Sequence, residues 1–187
     1  YNVAVGDSAG RSVTTGKDNT FIGGLAGDAI TTGELNVAVG RSALGADDVG
    51  NRTVAVGYAA LQLQNFATST DSYNVGVGYG TGGSVTTGTA NTLIGGLAGD
   101  ALTDADYNVA VGVNTLSTDT MGSRSTAVGY AALETQNFTT ATNTFNTALG
   151  YYAGQALTTG LNNTIIGAGT GDVLTDGSSN TVVGRGA

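Results

Sequence analysis

The residues that could do chemistry in this chain are few, and most are acidic. There are 14 Asp and Glu against 6 Lys and Arg, with no His and no Cys. Thiol nucleophiles, imidazole bases, the usual zinc ligand sets and disulfides therefore drop out. Asp28, Asp100 and Asp172 recur at one constant interval, Asp47 adjoins Asp48, and Asp104 is separated from Asp106 by Ala105 alone. None has the spacing of a D-x-[DN]-x-[DN]-G calcium loop or a GGxGxD solenoid site. They read as turn carboxylates, and an ion site would need one Asp from each of several chains around an axis. Glycoside hydrolysis requires two carboxylates about 5–9 Å apart in a groove. Glu34 and Glu134 fall in unrelated places, and the Asp residues follow a repeat rather than breaking it. The stretch GYGTGG at Gly78 mimics a phosphate loop, but no GKS or GKT follows and Lys17 is the only Lys, so it reads as a bend. A net charge of −8 repels phosphate backbones and anionic lipid. No run approaches the roughly 18 apolar residues of a membrane helix. The expectation is a chain without enzymatic activity, cofactor, nucleic-acid partner or membrane insertion.

The side chains that remain are placed by a repeat. Gly accounts for 32 of 187 residues, Pro for none, and only 11% of residues are charged. A strand-like motif ending in Gly occurs eleven times, at Asn2–Gly6, Asn19–Gly23, Asn36–Gly40, Thr53–Gly57, Asn74–Gly78, Asn91–Gly95, Asn108–Gly112, Ser125–Gly129, Asn146–Gly150, Asn163–Gly167 and Asn180–Gly184. From Gly6 to Gly78 the motif Gly numbers advance by 17, 17, 17 and then 21, and from Gly78 to Gly150 they advance in the same order. Four copies therefore make one larger unit, and the pattern restarts at Gly78 and again at Gly150. The super-repeats are 2–73, 74–145 and a partial 146–187, within a single repetitive domain. Both chain ends read as cuts in something longer.

β-branched residues two apart, such as Val3 and Val5 or Thr20 and Ile22, indicate a strand in each copy. Seven residues beyond the motif Gly, Val13, Ile30, Val85, Leu102, Leu157 and Leu174 predict a second short strand before a TTG or TD turn. A unit this small cannot bury its own apolar face, but stacking on identical neighbours can. The predicted fold is all-β, a parallel β-solenoid or β-roll of eleven coils, roughly 50 Å long at about 4.8 Å per coil. Asn2, Asn19, Asn36, Asn74, Asn91, Asn108, Asn146, Asn163 and Asn180 would lie above one another as a hydrogen-bonding ladder, with Thr53 and Ser125 as its exceptions. With the Val and Ile row taken as the core, the intervening Ala row would face outward. An apolar outer row suggests burial, most simply against copies of the same chain, with a homotrimeric fibre favoured and two-fold or helical packing able to use the same row. The two long coils, LQLQNFATSTDSY at Leu61 and LETQNFTTATNTF at Leu133, carry Phe66, Tyr73, Phe138 and Phe145. These would either project as contact bumps for a sugar or receptor or fold back over the rod.

The strings TVAVGYAAL at Thr53, STAVGYAAL at Ser125 and NTALGYYAG at Asn146, with TTG and NNT between them, resemble the N-T-A-h-G-Y-x-A-L repeats of phage tail-fibre shafts. They are also similar to the shorter N-S-x-A-h-G coils in the heads of trimeric autotransporter adhesins. The resemblance covers essentially the whole chain, although the spacing is longer than in adhesin heads and this segment itself carries no chaperone or membrane anchor. It implies a trimeric, parallel, left-handed β-roll, extracellular, at a cell surface or on a virion, that projects or adheres to a cell-surface glycan or receptor. Two other readings stand beside it. The first is an ice-binding or carbohydrate-binding solenoid, weighed against by the mixture of Val and Thr beside the motif Asn. The second is a functional-amyloid-like filament, distinguished by one chain per layer. Asn51, Asn137 and Asn162 fit the N-x-S/T sequon and would matter only where such sites are glycosylated.

Overall fold

Alternation within a three-residue strand leaves one side chain for the interior and two for the outside, and the motif supplies a small or bulky apolar residue between two β-branched ones. The computed structural model describes residues 1–187 and contains no helix. Its strands are β1 (Val3–Val5), β2 (Thr20–Ile22), β3 (Val37–Val39), β4 (Gly50–Asn51), β5 (Val54–Val56), β6 (Thr70–Asp71), β7 (Val75–Val77) and β8 (Thr92–Ile94). They continue as β9 (Val109–Val111), β10 (Gly122–Ser123), β11 (Thr126–Val128), β12 (Thr142–Asn143), β13 (Thr147–Leu149), β14 (Thr164–Ile166) and β15 (Thr181–Val183). Eleven of them form one parallel sheet in the order β1-β2-β3-β5-β7-β8-β9-β11-β13-β14-β15. The register never slips: Ala38 pairs with Ala55, and Ala55 with Gly76 across the long coil. This is a parallel β-solenoid of eleven coils. The four extra residues of each long coil accompany small two-stranded sheets, β4 with β6 and β10 with β12.

The motif Gly allows coils to stack this closely. A Cβ on Gly6 would lie 2.7 Å from the carbonyl of Gly23, and one on Gly23 would lie 2.7 Å from that of Gly40. With φ near +130° as well, no other residue type fits this column without strain.

Two expectations are corrected. The middle strand residue, not its neighbours, points inward: Phe21, Ala38, Ala55, Leu93, Ala110, Ala127, Ala148 and Ile165 are all buried. The Val, Ile and Thr ranks form the outer face, because only small side chains fit between the closely spaced walls of a coil in most layers. The second predicted strand is also absent. Ile30, Val85, Leu102 and Leu157 are buried as expected, but each sits between a turn and a bend rather than in a strand, with a left-handed Gly three residues before it.

Candidate functional site

The Asn column lines the entry to each strand. The backbone N–H of Asn36 donates to Asn19 Oδ1 at 2.9 Å, and Asn36 Nδ2 donates to the carbonyl of Gly50 at 2.8 Å. The same two bonds recur at Asn91 and Asn108, so each Asn bonds the coil before it through its backbone N–H and the chain that follows through its side-chain amide. Buried polar groups are tolerated because each is paired.

Thr53 and Ser125 lack that amide, and the long coils replace it. Gln64 Nε2 donates to Thr53 Oγ1 at 2.8 Å and to Asp47 Oδ2 at 2.7 Å, while Gln64 Oε1 accepts from Asn74 Nδ2 at 2.8 Å. The arrangement repeats at the equivalent place in the next super-repeat: Gln136 Nε2 donates to Ser125 Oγ at 2.9 Å and to Asp119 Oδ2 at 2.5 Å, and Asn146 Nδ2 donates to Gln136 Oε1 at 2.8 Å. Asp47, Gln64, Asp119 and Gln136 are fully buried, in the same interior slot that Ile30, Val85, Leu102 and Leu157 fill elsewhere. Burial pushes the Asp47 carboxyl above its usual range, opposed by hydrogen bonds from Gln64 and from the backbone of Gly50, Phe66 and Val49. The sequence places Asp47 in a turn and does not by itself single out Gln64 or Gln136. The available signal is that both Gln residues occupy the same slot of successive super-repeats, each in the coil whose own motif lacks the Asn.

Of the four aromatic residues of the long coils, Phe66 and Phe138 are 5% and 8% exposed and lie back against the rod, the second of their two readings. Each follows two residues behind a buried Gln, and the Phe138 N–H donates to Asp119, so the backbone there is tied inward. Tyr73 and Phe145 project from the corner that enters the strand. That corner column also contains Leu35, Arg52, Tyr107 and Arg124. Arg52 lies 5.9 Å from the Tyr73 ring centroid and forms a 2.6 Å ion pair with Asp71. Arg124 lies between Tyr107 and Phe145, at 4.8 and 6.0 Å from their centroids.

At the opposite strand end the residue after the motif Gly makes a second aromatic feature. Tyr58 stacks on Tyr79 with centroids 5.4 Å apart, and Tyr130 on Tyr151 at 5.5 Å. Tyr152 packs edge-on to both Tyr130 and Tyr151, and their hydroxyls push its own pKa up to about 12. No local pattern in the sequence marks these stacks, because a whole long coil separates the partners and they meet only through stacking.

The three recurrent acids behave differently from one another. Asp28 pairs with Arg11 at 3.5 Å. Asp100 has Gly83 at the place of Arg11, its Oδ1 has no hydrogen-bond partner, and burial raises its pKa. Asp172 is exposed. No three acidic side chains come together, and no cavity opens in the surface.

Comparison with protein-family profiles, curated proteins and solved structures finds no match. The arrangement itself offers a rod with an apolar outer sheet face, bordered by aromatic and cationic corners.

Proposed function

We propose that this chain is a segment of an extracellular or virion-associated structural fibre, non-enzymatic, that self-associates along its sheet face and makes repeated weak contacts through its corners. The observation that carries this is the outer face of the eleven-stranded sheet. Away from the chain ends, Ile22, Ile94, Leu149 and Ile166 are 41%, 38%, 48% and 36% exposed, in a rank continued by Val39, Val56, Val77, Val111 and Val128. A continuous apolar stripe along a rod favours burial against another copy. The surface that needs covering is thus the Val and Ile rank rather than the Ala row. Three chains around an axis is the arrangement that the tail-fibre resemblance implies. Related corners repeated along such a fibre raise avidity at a glycan or receptor surface without strong single contacts.

The test is mass per unit length by electron microscopy together with sedimentation equilibrium. Three chains per cross-section is the expected result. A stable monomer would sink the reading and favour the ice-binding alternative, for which Thr92, Thr126, Thr147 and Thr164 share one outer rank of the sheet, interrupted by Val109. Thermal hysteresis of the monomer would then be the deciding measurement.

A further inference from the structure

The corner column contains a related motif twice, an Arg flanked by the residues of the same column on the two neighbouring coils. In the first unit Leu35, Arg52 and Tyr73 lie on successive coils, and in the second Tyr107, Arg124 and Phe145 do. The residue facing each Arg from the following coil is Asp71 in the first case and Asn143 in the second. Asp71 neutralises Arg52 through Nη1. Asn143 accepts only from Arg124 Nε, at 2.9 Å, which orients the guanidinium without cancelling its charge. Arg124 is exposed, has no acidic partner, and makes no hydrogen bond within the chain through either terminal nitrogen. The nearby Asp106 carboxylate is turned to the coil below, where Oδ1 accepts from the Thr89 N–H and hydroxyl at 2.7 and 2.9 Å.

We infer that Arg124, framed by Tyr107 and Phe145, is a binding site for a carboxylate carried on a pyranose ring, that is, an acidic sugar of the uronic-acid class. The paired Nη N–H groups form the planar fork that matches a carboxylate. Tyr107 and Phe145 are 54% and 53% exposed, and the two coils between them amount to about 10 Å, so they border the fork on both sides. A ligand with its charge on a rigid ring bearing an apolar C–H face engages both features, whereas a neutral sugar has nothing for the fork and a small carboxylate nothing for the rings. In a chain of net charge −8, this unpaired cation between two aromatic rings is a local exception that selects an anion. The inference deepens the contact part of the fibre reading and rests on it only for biological use, because the site lies within one chain.

The test is an NMR titration of the whole chain with methyl glucuronide, methyl glucoside and acetate, following Arg124 Nε and the Tyr107 and Phe145 ring signals. Methyl glucuronide is expected to shift all three with a dissociation constant on the order of millimolar, as befits one fork and two ring edges. Acetate should bind at least about tenfold more weakly and methyl glucoside should leave Arg124 unmoved. Asn143→Asp, which copies the first unit, should abolish binding while leaving both rings in place. Asp71→Asn should open a weaker second site at Arg52 and Tyr73, weaker because Leu35 replaces one ring. Equal binding of acetate, undiminished binding by Asn143→Asp, or no gain with Asp71→Asn would each overturn the assignment. Sedimentation of the same samples reads self-association separately, so failure of the sugar site and failure of the fibre reading give different results.

Discussion

The coil carrying Phe21 and the coil carrying Leu61 enclose similar space with opposite choices. In the first, the bulk comes from the strand, and the corners around it are Gly: a Cβ on Gly10 would lie 2.6 Å from Phe21 Cδ2, and one on Gly27 2.9 Å from Phe21 Cζ. In the second, the strand contributes only Ala55, and the corner residue is Leu61, held at φ 49° with its side chain buried. Leu44, Leu116 and Leu133 adopt the same left-handed conformation, which is costly for Leu and is offset by burial in a space that the strand leaves empty. The first two coils of a unit are also apolar at the next interior slot, Ile30 for example, where the last two carry Asp47 and Gln64. Bulk and polarity thus trade places within one backbone template, and each choice is legible only against its neighbours in the stack.

The largest test of this comparison exchanges the two solutions. Phe21→Ala should cost about 3–5 kcal/mol in chemical denaturation by opening a cavity. Gly27→Leu alone should also destabilise, through overlap with Phe21, by about 1–3 kcal/mol or more. Combined, the pair should lose less than the sum, with a coupling of about 1–3 kcal/mol, because the new Leu enters the vacated space as Leu61 does. Strict additivity would show that the corner and strand do not share one volume.

Next comes the polar pair. Gln64→Leu deprives Asp47, Thr53 and Asn74 of a partner at once and should cost about 3 kcal/mol, whereas Gln62→Leu, at an exposed position, should change stability by less than about 0.5 kcal/mol. A smaller effect comes from titration. Because the folded chain holds the Asp47 proton more tightly than the unfolded chain, this group's contribution is greatest below the ordinary carboxylate range and declines as pH rises through the raised value. The urea midpoint should therefore fall over that interval, and fall less in Asp47→Asn; an identical slope in the variant would remove Asp47 as a source. The smallest expected change is a gain. Gly83→Arg gives half-buried Asp100 the partner that Arg11 gives Asp28, and should add no more than about 1 kcal/mol, diminishing with salt. Loss of stability would mean that the 3.1 Å approach of the new Cβ to the Gly80 carbonyl outweighs the ion pair.

The chain's sequence by itself determined the stacking. Eleven motifs ending in Gly in a regular series, nine of them opening with Asn, with Gly where no Cβ can fit, admit few architectures other than one coil per repeat in a parallel register, and the larger four-coil period shows in the spacing and in the middle strand residue. Which face of the strand points inward was decided only in three dimensions. Alternation distinguishes two faces but does not say which is inside, and the sum of volumes around each coil, Gly10 and Gly27 against Phe21 or Leu61 against Ala55, settles it in favour of the middle residue. The same holds for the polar residues. Gln64 and Asp47 are plain surface types in the sequence, and stacking puts them in consecutive layers of one buried slot, where they pair. Arg52 and Arg124 likewise occupy equivalent slots, and their different surroundings depend on a side chain of the following coil, Asp71 or Asn143, that reaches them only across the gap between layers.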